Sequence, residues 1–391
     1  MLTVLAFIIV LGLLVFVHEF GHFITARKSG MKVYEFGFGY PPRAFGFYKD
    51  PKTKKIVWVW GKSKKSGLKE TVGGDERVEE YPATLYSINW LPIGGFVKIK
   101  GESGEKQDEP DSFGYQKAWK KIVVLVAGVT MNFLLAAILF STGFMVGLPV
   151  DVTGQQDDRA IIIEEPKVLV QMTEKKSPAE EAGIQFGDKI LQINDNEIEN
   201  SAQVPELIKE IGFNELSLTI EREGESKEVK LTPANLDSSG DPKIGVSLVE
   251  AGIVRYPWYI ALYKGFVAAG VTLLNIFIIF YVVIKNLIIG NGMITDVSGP
   301  VGIAVMIGQS ARLGISYLIN ITAMLSLSLA VINILPIPAL DGGRIIFVLF
   351  EKIFRRPVPL KYEQIAHTIG FLLLMLLVIV VTGRDILGLI G

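Results

Sequence analysis

Cysteine is absent from the 391 residues of the chain. Its absence excludes disulfide bridges, cysteine nucleophiles and zinc sites built on thiolates. Histidine is scarce as well, since the sequence contains only His18, His22 and His367. A metal site that uses the first two histidines therefore needs a third protein ligand from elsewhere, and we expect a carboxylate.

A large excess of charge is also absent, because the formal net charge is −1. The composition gives no general attraction to nucleic acid, and we expect no such partner. Hydrophobic residues make up 50% of the chain, and the mean hydropathy is +0.40. These values are typical of a membrane protein with soluble parts.

The first apolar run carries a metal-binding motif. Residues 2–17 are uncharged, and His18-Glu19-Phe20-Gly21-His22 follows directly. On a helix this H-E-x-x-H spacing puts two imidazoles on one face, where both can bind one zinc ion beside a glutamate that acts as a base. The alternative is a set of structural side chains. The apolar context disfavours it, because ionisable groups in hydrocarbon are costly and persist mainly where they function.

The charges that flank this run predict its orientation. Residues 27–65 hold eleven Lys or Arg against two acids, so the positive-inside rule places them in the cytoplasm and the N-terminus outside. Residues 1–26 lack the features of a cleaved signal peptide, and we interpret them as the first transmembrane span.

Short aromatic runs broken by proline and glycine predict a β-rich region over residues 27–121 on the cytoplasmic side. Two interpretations of this region stay open. It is either a small sheet with no special role, or a membrane-associated sheet whose open edge pairs with an extended substrate. A second span is predicted over 122–148, and Asn132 in its middle is interpreted as a residue that hydrogen-bonds between helices.

Residues 151–256 carry 22 acidic and 11 basic side chains and are predicted to form a soluble domain outside the cell. Within 166–236, the A-G-I-x-x-G-D-x-I run resembles a PDZ domain of the bacterial protease-associated type. That resemblance implies a groove between Val168–Met172 and a helix at 202–211, where an extended peptide or its terminus can bind. The alternative is a domain that only blocks access by its bulk.

The remaining apolar segments complete the predicted topology. Residues 257–289 pass a length test for a span, but the parity of crossings favours an interfacial or re-entrant helix within 257–317. A third span is predicted over 318–343 and a fourth over 365–382. We therefore expect a polytopic α-helical membrane protein with about four transmembrane helices, a cytoplasmic-side β-sheet and one extracytoplasmic PDZ-like α+β domain.

The third span ends in the stretch Asn333-Ile-Leu-Pro-Ile-Pro-Ala-Leu-Asp-Gly-Gly. Its prolines and glycines break the helix, which is tolerated at membrane depth where the chain lines an enclosed site. The basic residues that follow place Asp341 on the same side as His18 and His22. The alternative, a turn aspartate, is disfavoured beside a two-histidine site that needs another ligand.

These motifs together resemble the site-2 protease family of intramembrane zinc metalloproteases, in its bacterial PDZ-bearing branch. The matching stretches are HEFGH at 18–22, GFVKIKG at 95–101, AGVTMN at 127–132, the PDZ-like run at 177–194 and NILPIPALDGG at 333–343. The resemblance implies that His18, His22 and Asp341 bind Zn²⁺ and that Glu19 is the catalytic base.

The resemblance also implies how a substrate is held. Asn333 is expected to hold the substrate backbone or the tetrahedral intermediate, and Gly95, Phe96 and Val97 are expected to contact the substrate. The implied function is an endopeptidase of the bacterial inner membrane that cleaves within or near the transmembrane segments of single-pass proteins already shortened outside. Anti-sigma factors and signal-peptide remnants are the implied classes.

Two alternative functions belong to other classes. One is a non-catalytic membrane scaffold that gathers partners through the PDZ domain, and it requires neither Glu19 nor Asp341. The other is a soluble-type zinc peptidase tethered to the membrane, which would carry the H-E-x-x-H motif on an amphipathic helix rather than in an uncharged span. Both chain termini and the PDZ domain are expected outside the cytoplasm.

Overall fold

A computed structural model describes residues 2–61, 80–102, 104, 106–151, 159–174, 176–222, 224–236, 240–289, 299–356 and 358–390. The helices, numbered in chain order, are α1 (Leu2–Lys28), α2 (Ala118–Val146), α3 (Pro178–Glu181), α4 (Gln203–Ile211), α5 (Trp258–Ile289), α6 (Pro300–Leu313), α7 (Ile315–Ile334), α8 (Asp341–Phe354) and α9 (Leu360–Ile390). The strands are β1 (Val33–Lys49), β2 (Ile56–Trp60), β3 (Leu85–Ile99), β4 (Leu148–Asp151), β5 (Ile161–Thr173), β6 (Lys189–Ile193), β7 (Asn196–Glu197), β8 (Leu216–Arg222), β9 (Glu225–Leu231) and β10 (Val246–Arg255).

Five of the described helices are long and apolar enough to cross a membrane, where the sequence predicted about four spans. The additional one is Trp258–Asn286, which covers the segment interpreted as interfacial or re-entrant. In the most apolar windows of Trp258–Asn286 and Leu360–Leu387, only 6% of the residues are buried. Such exposed apolar surface is stable in lipid rather than in water. The interfacial or re-entrant placement of residues 257–289 stays a prediction.

The chain divides into two compact units. The first consists of Met1–Ala137, Ala269–Val305 and Thr322–Gly391, and the second of Ile138–Ala268 and Met306–Ile321.

The first unit contains a sheet in the order β2-β1-β3, whose two longer strands both bend. Glu35 of β1 pairs with Leu85 and also with Lys98, so the first half of β1 lies between the two halves of β3. Aromatic and aliphatic side chains of α1 and the sheet share one buried cluster, which includes Phe23, Phe36 and Ile99. This cluster fixes the sheet to the first apolar helix.

The bend leaves the second half of β3 at an edge. Gly95–Ile99 pairs with β1 on one side, and among the described residues no strand pairs with its other side. The backbone amides and carbonyls on that side are therefore available to an added strand.

The first unit also contains the broken helix at the end of the predicted third span. Helix α7 ends at Ile334, and a new helix, α8, begins at Asp341. Pro336 and Pro338 lie between them and cannot donate backbone hydrogen bonds to a continuing helix. The residues predicted as one span, 318–343, thus contain two helices joined by an irregular segment.

The second unit contains a sheet in the order β4-β10-β5-β6-β8-β9, with β7 paired to β6. Its core is aliphatic, and Val204 and Ile208 of α4 belong to it. Val246 and Leu248 of β10 pack against the same core. Helix α4 therefore shares its buried face with β10.

The prediction that Val168–Met172 forms the strand side of a peptide groove is wrong. Val168 pairs with Glu250 of β10 on one side and with Ile190 of β6 on the other, so β5 lies inside the sheet. Strand β10 lies outside the predicted range 166–236 and comes last in the sequence of the sheet. Its pairing with β5 joins segments distant in the chain, which no local pattern indicates.

Candidate active site

Helix α1 buries the two histidines of its motif, since His18 and His22 are both 6% exposed. They lie one turn apart, and their Nε2 atoms are 3.2 Å from each other. The aspartate of the broken helix joins them. Asp341 Oδ2 lies 3.1 Å from His18 Nε2 and 3.3 Å from His22 Nε2. The structure thus brings together the three side chains predicted as ligands.

These three atoms fit a zinc ion. A tetrahedral ion with nitrogen and oxygen ligands at about 2.0 Å separates neighbouring ligands by about 3.3 Å. The observed separations of 3.1 to 3.3 Å match that value closely. Two imidazoles and one carboxylate are also the ligand types of a catalytic zinc site, in which three protein ligands leave one position open. In the described residues, this is the group of histidine and acidic side chains that can hold a metal ion.

The turn before α8 determines where Asp341 points. Asp341 occupies the first position of α8, after Leu340 in an extended conformation. A Cβ on the next residue, Gly342, would lie 2.2 Å from the carbonyl oxygens of Ile334 and Leu335. A glycine is therefore required after the aspartate, because any larger residue would displace α8 from the end of α7.

His367 supports the same turn from α9. The backbone N–H of Ala339 donates to His367 Nδ1 over 2.7 Å, and Ala339 has a φ of 81°, which is unusual for a residue with a Cβ. Its position at the start of an apolar helix predicts an interfacial or structural role and no particular partner. The signal available was a histidine in an apolar helix, but its contact with a turn 28 positions away could not be read from a pattern.

Glu19 is half-buried and lies beside the sheet edge. A Cβ built on Gly95 would be 3.9 Å from Glu19 Cγ. The predicted substrate contacts Gly95, Phe96 and Val97 thus begin next to the predicted base. Asn333 lies in the last turn of α7 and is half-buried.

An ion pair connects the end of this edge strand to α8. Glu102, three residues after β3, pairs with Arg344, which follows Asp341 by one turn. The strand end and the helix that carries Asp341, the third predicted ligand, are thereby held together.

Known proteins resemble this chain over nearly its whole length. The family model described as peptidase family M50 matches residues 6–58 and 77–377. A protein of Clostridium perfringens, named by inference as a zinc metalloprotease, is 33% identical over 376 residues, which cover 96% of this chain and 95% of that protein. The regulator of sigma-W protease RasP of Bacillus subtilis is 30% identical over 437 residues, 98% of each chain.

A solved structure also matches part of the chain. The PDZ domain of an SdrC-like protein from Listeria monocytogenes covers 22% of this chain and 93% of its own, with 19% identity and a TM-score of 0.21. The family match extends over most of the chain and includes both the H-E-x-x-H helix and the turn before Asp341. The chain therefore belongs to peptidase family M50, the site-2 protease family of zinc metalloproteases.

Proposed function

We propose that this chain is an intramembrane endopeptidase that cleaves single-pass membrane proteins within or near their transmembrane segments. The observation that carries the proposal is the triangle that His18 and His22 of α1 form with Asp341 of α8, directly after the uncharged run 2–17. An amphipathic helix in an exposed domain, as in a tethered soluble-type peptidase, would not bury its histidines in such a run. Membership of a peptidase family favours an enzyme over a non-catalytic scaffold.

The roles of the site residues follow from their chemistry. His18, His22 and Asp341 hold the zinc ion, which when bound supplies a Lewis acid that polarises a carbonyl and acidifies water. Glu19 takes the proton of the attacking water and later gives it to the leaving amine. Asn333 donates a hydrogen bond to the oxygen that becomes negative in the transition state.

The edge of β3 supplies what an unwound substrate needs. A transmembrane helix hides its amides and carbonyls in its own hydrogen bonds, so the substrate must unwind locally before its backbone can be attacked. Pairing with Gly95–Ile99 gives the freed groups new partners. Because this edge begins beside Glu19, a paired substrate strand passes the proposed base.

The substrate class and orientation are part of the proposal. RasP is named as a regulator of sigma-W, which supports anti-sigma factors as substrates here. Signal-peptide remnants have the same single-pass form. We place the protein in the bacterial cell membrane with the basic segment in the cytoplasm. The chain termini and the acidic second-unit domain lie outside.

A peptide groove in that domain is proposed at β10 rather than at β5. Val246–Glu250 pairs with β5 on one side, whereas on the other side the described residues of β4 pair with Ala251–Val254. Ser201, which precedes α4, donates from its backbone N–H and its Oγ to Glu250. This side of β10, to which no strand of the described residues pairs over Val246–Glu250, is suited to a peptide terminus left by the cleavage outside.

The proposal is tested with full-length protein in liposomes and a single-pass helical substrate. Glu19→Gln should lower the cleavage rate by at least about 10²-fold, because it removes the base, while the zinc content stays at one ion per chain. The exposed Glu197→Gln serves as the control and should cleave normally. Cleavage by Glu19→Gln at the wild-type rate would reject the assigned base. Cleavage sites found only in soluble segments of the substrate would favour a tethered peptidase.

A further inference from the structure

One face of α2 lies directly against the two histidine rings. His22 Nδ1 is 2.8 Å from the carbonyl oxygen of Val124, and His18 Nδ1 is 3.3 Å from the side-chain amide of Asn132. Val124, Gly128 and Asn132 follow one another at four-residue intervals, so they share that face. A Cβ on Gly128 would lie 2.5 Å from His22 Nε2 and 2.7 Å from His18 Nε2. The glycine therefore allows α2 to approach both imidazoles closely.

Metal binding through Nε2 determines that the other ring nitrogen, Nδ1, carries the proton. A neutral imidazole that offers the lone pair of Nε2 carries its proton on Nδ1, and this N–H requires an acceptor. For His22 the acceptor is the carbonyl of Val124. For His18 the only neighbour at hydrogen-bond distance of Nδ1 among the described residues is the amide of Asn132.

The orientation of that amide matters. The structure turns Asn132 Nδ2 toward His18, while Asn132 Oδ1 is buried without a hydrogen-bond partner in the described part of the chain. A half-turn of the amide exchanges the two atoms at almost no steric change. The exchange gives Oδ1 a donor and gives the His18 Nδ1–H an acceptor, so one rotation satisfies both groups.

We propose that Asn132 is a positioning residue for the metal site. Its Oδ1 accepts a hydrogen bond from His18 Nδ1–H and keeps the ring turned so that Nε2 faces His22 and Asp341. Asn132 is itself held in position, because its side chain is fully buried. Its backbone carbonyl also accepts a hydrogen bond from Ser326 Oγ over 2.8 Å. The contact confirms the interpretation of Asn132 as a residue that hydrogen-bonds between helices, since it joins α2 to α1, and the proposed role rests on the proposed ligand role of His18.

The test compares two substitutions by their zinc affinity rather than by activity. Purified full-length protein in detergent is titrated against a chromophoric zinc chelator. Asn132→Leu removes the acceptor and should weaken zinc binding by about 10- to 100-fold. Asn132→Asp keeps an acceptor and offers no donor, so its affinity should stay within about threefold of wild type. Thr130→Ala, on the exposed face of the same helix, removes a hydrogen bond to the carbonyl oxygen of Val126, and as the matched control it should bind zinc normally.

Each outcome decides the proposal. Equal weakening by Asn132→Asp and Asn132→Leu would show that the amide donates rather than accepts, and would overturn it. Wild-type affinity in Asn132→Leu would overturn it as well. If the leucine variant does not fold, the aspartate variant alone decides, because a donating amide has no substitute in a carboxylate. Full zinc binding by His18→Ala would instead remove the ligand assignment, and this proposal with it.

Discussion

Asp341 Oδ2 lies 3.1 Å from His18 Nε2, although 323 positions separate the two residues in the chain. The contact joins the H-E-x-x-H helix to the first residue of α8, which follows the prolines between α7 and α8. The sequence predicted it only indirectly, from the placement of both groups on the same side of a membrane. An arrangement with Asp341 far from the histidines would have contradicted the enzyme interpretation.

Removal of this carboxylate is expected to remove the metal. Asp341→Ala leaves two imidazoles, and zinc in a catalytic site requires three protein ligands. The zinc content after dialysis should fall well below one ion per chain, with proteolysis lost in parallel. Asp108→Ala, in an exposed loop, is the control. One ion per chain retained by Asp341→Ala would exclude it from the ligand set.

A second prediction concerns the turn held by His367. His367→Leu removes the acceptor of the Ala339 N–H and should lower zinc affinity by about tenfold, because outer contacts of this kind orient the ligands. His367→Asn places an amide oxygen near the position of Nδ1 and should recover part of the loss. Chelator titration measures both variants. Equal affinity in His367→Leu and wild type would show that α8 keeps Asp341 in place without this bond.

The absence of cysteine allows a direct test of the sheet edge. In a Glu19→Gln background, Val97→Cys should form a disulfide with a cysteine placed near the scissile bond of the substrate, because strand pairing brings the two backbones to about 5 Å. Lys54→Cys, in the turn between β1 and β2, should not cross-link. Non-reducing gels report the product. Equal yields from both positions, or none from Val97→Cys, would contradict substrate pairing at this edge.

The last prediction concerns the pH dependence of the ion pairs that Lys100 forms directly after β3. Lys100 is buried, and its Nζ pairs with Glu109 and, at 2.5 Å, with Asp111. The hydrogen bond from Lys100 holds the pKa of Asp111 below its ordinary value. A carboxyl group whose pKa is lower in the folded state than in the unfolded state stabilises the fold. This stabilisation is fully present above the pKa of the unfolded state, about 4, and it is lost as the pH falls through the pKa of the folded state.

Asp111→Asn should therefore unfold at a lower temperature than wild type at pH 7, and the difference should shrink as the pH falls below about 4. We expect a contribution of about 1 kcal/mol or less, because the Asp111 side chain is 43% exposed and water screens the pair. Thermal unfolding in detergent measures it, with Asp108→Asn as the exposed control. A difference independent of pH would indicate lost packing rather than lost charge.

The sequence was informative where chemistry depends on local spacing. The H-E-x-x-H helix, the broken helix before Asp341 and the strands around Val168 all follow from periodicity and from proline and glycine. It was uninformative where distant segments meet. Strand β10 pairs with β5, Asn132 contacts His18, and His367 contacts Ala339. Each of these contacts depends on strand order or side-chain orientation, which the local sequence pattern does not determine.

The separation of the ligands along the chain has a consequence for biosynthesis. The two imidazoles leave the ribosome near the start of translation, whereas the carboxylate that completes the triangle is added only when most of the polypeptide has been made. With the proposed ligand roles, a nascent or prematurely terminated chain that ends before Asp341 lacks one of its three zinc ligands. We therefore expect unfinished copies of the enzyme to be inactive.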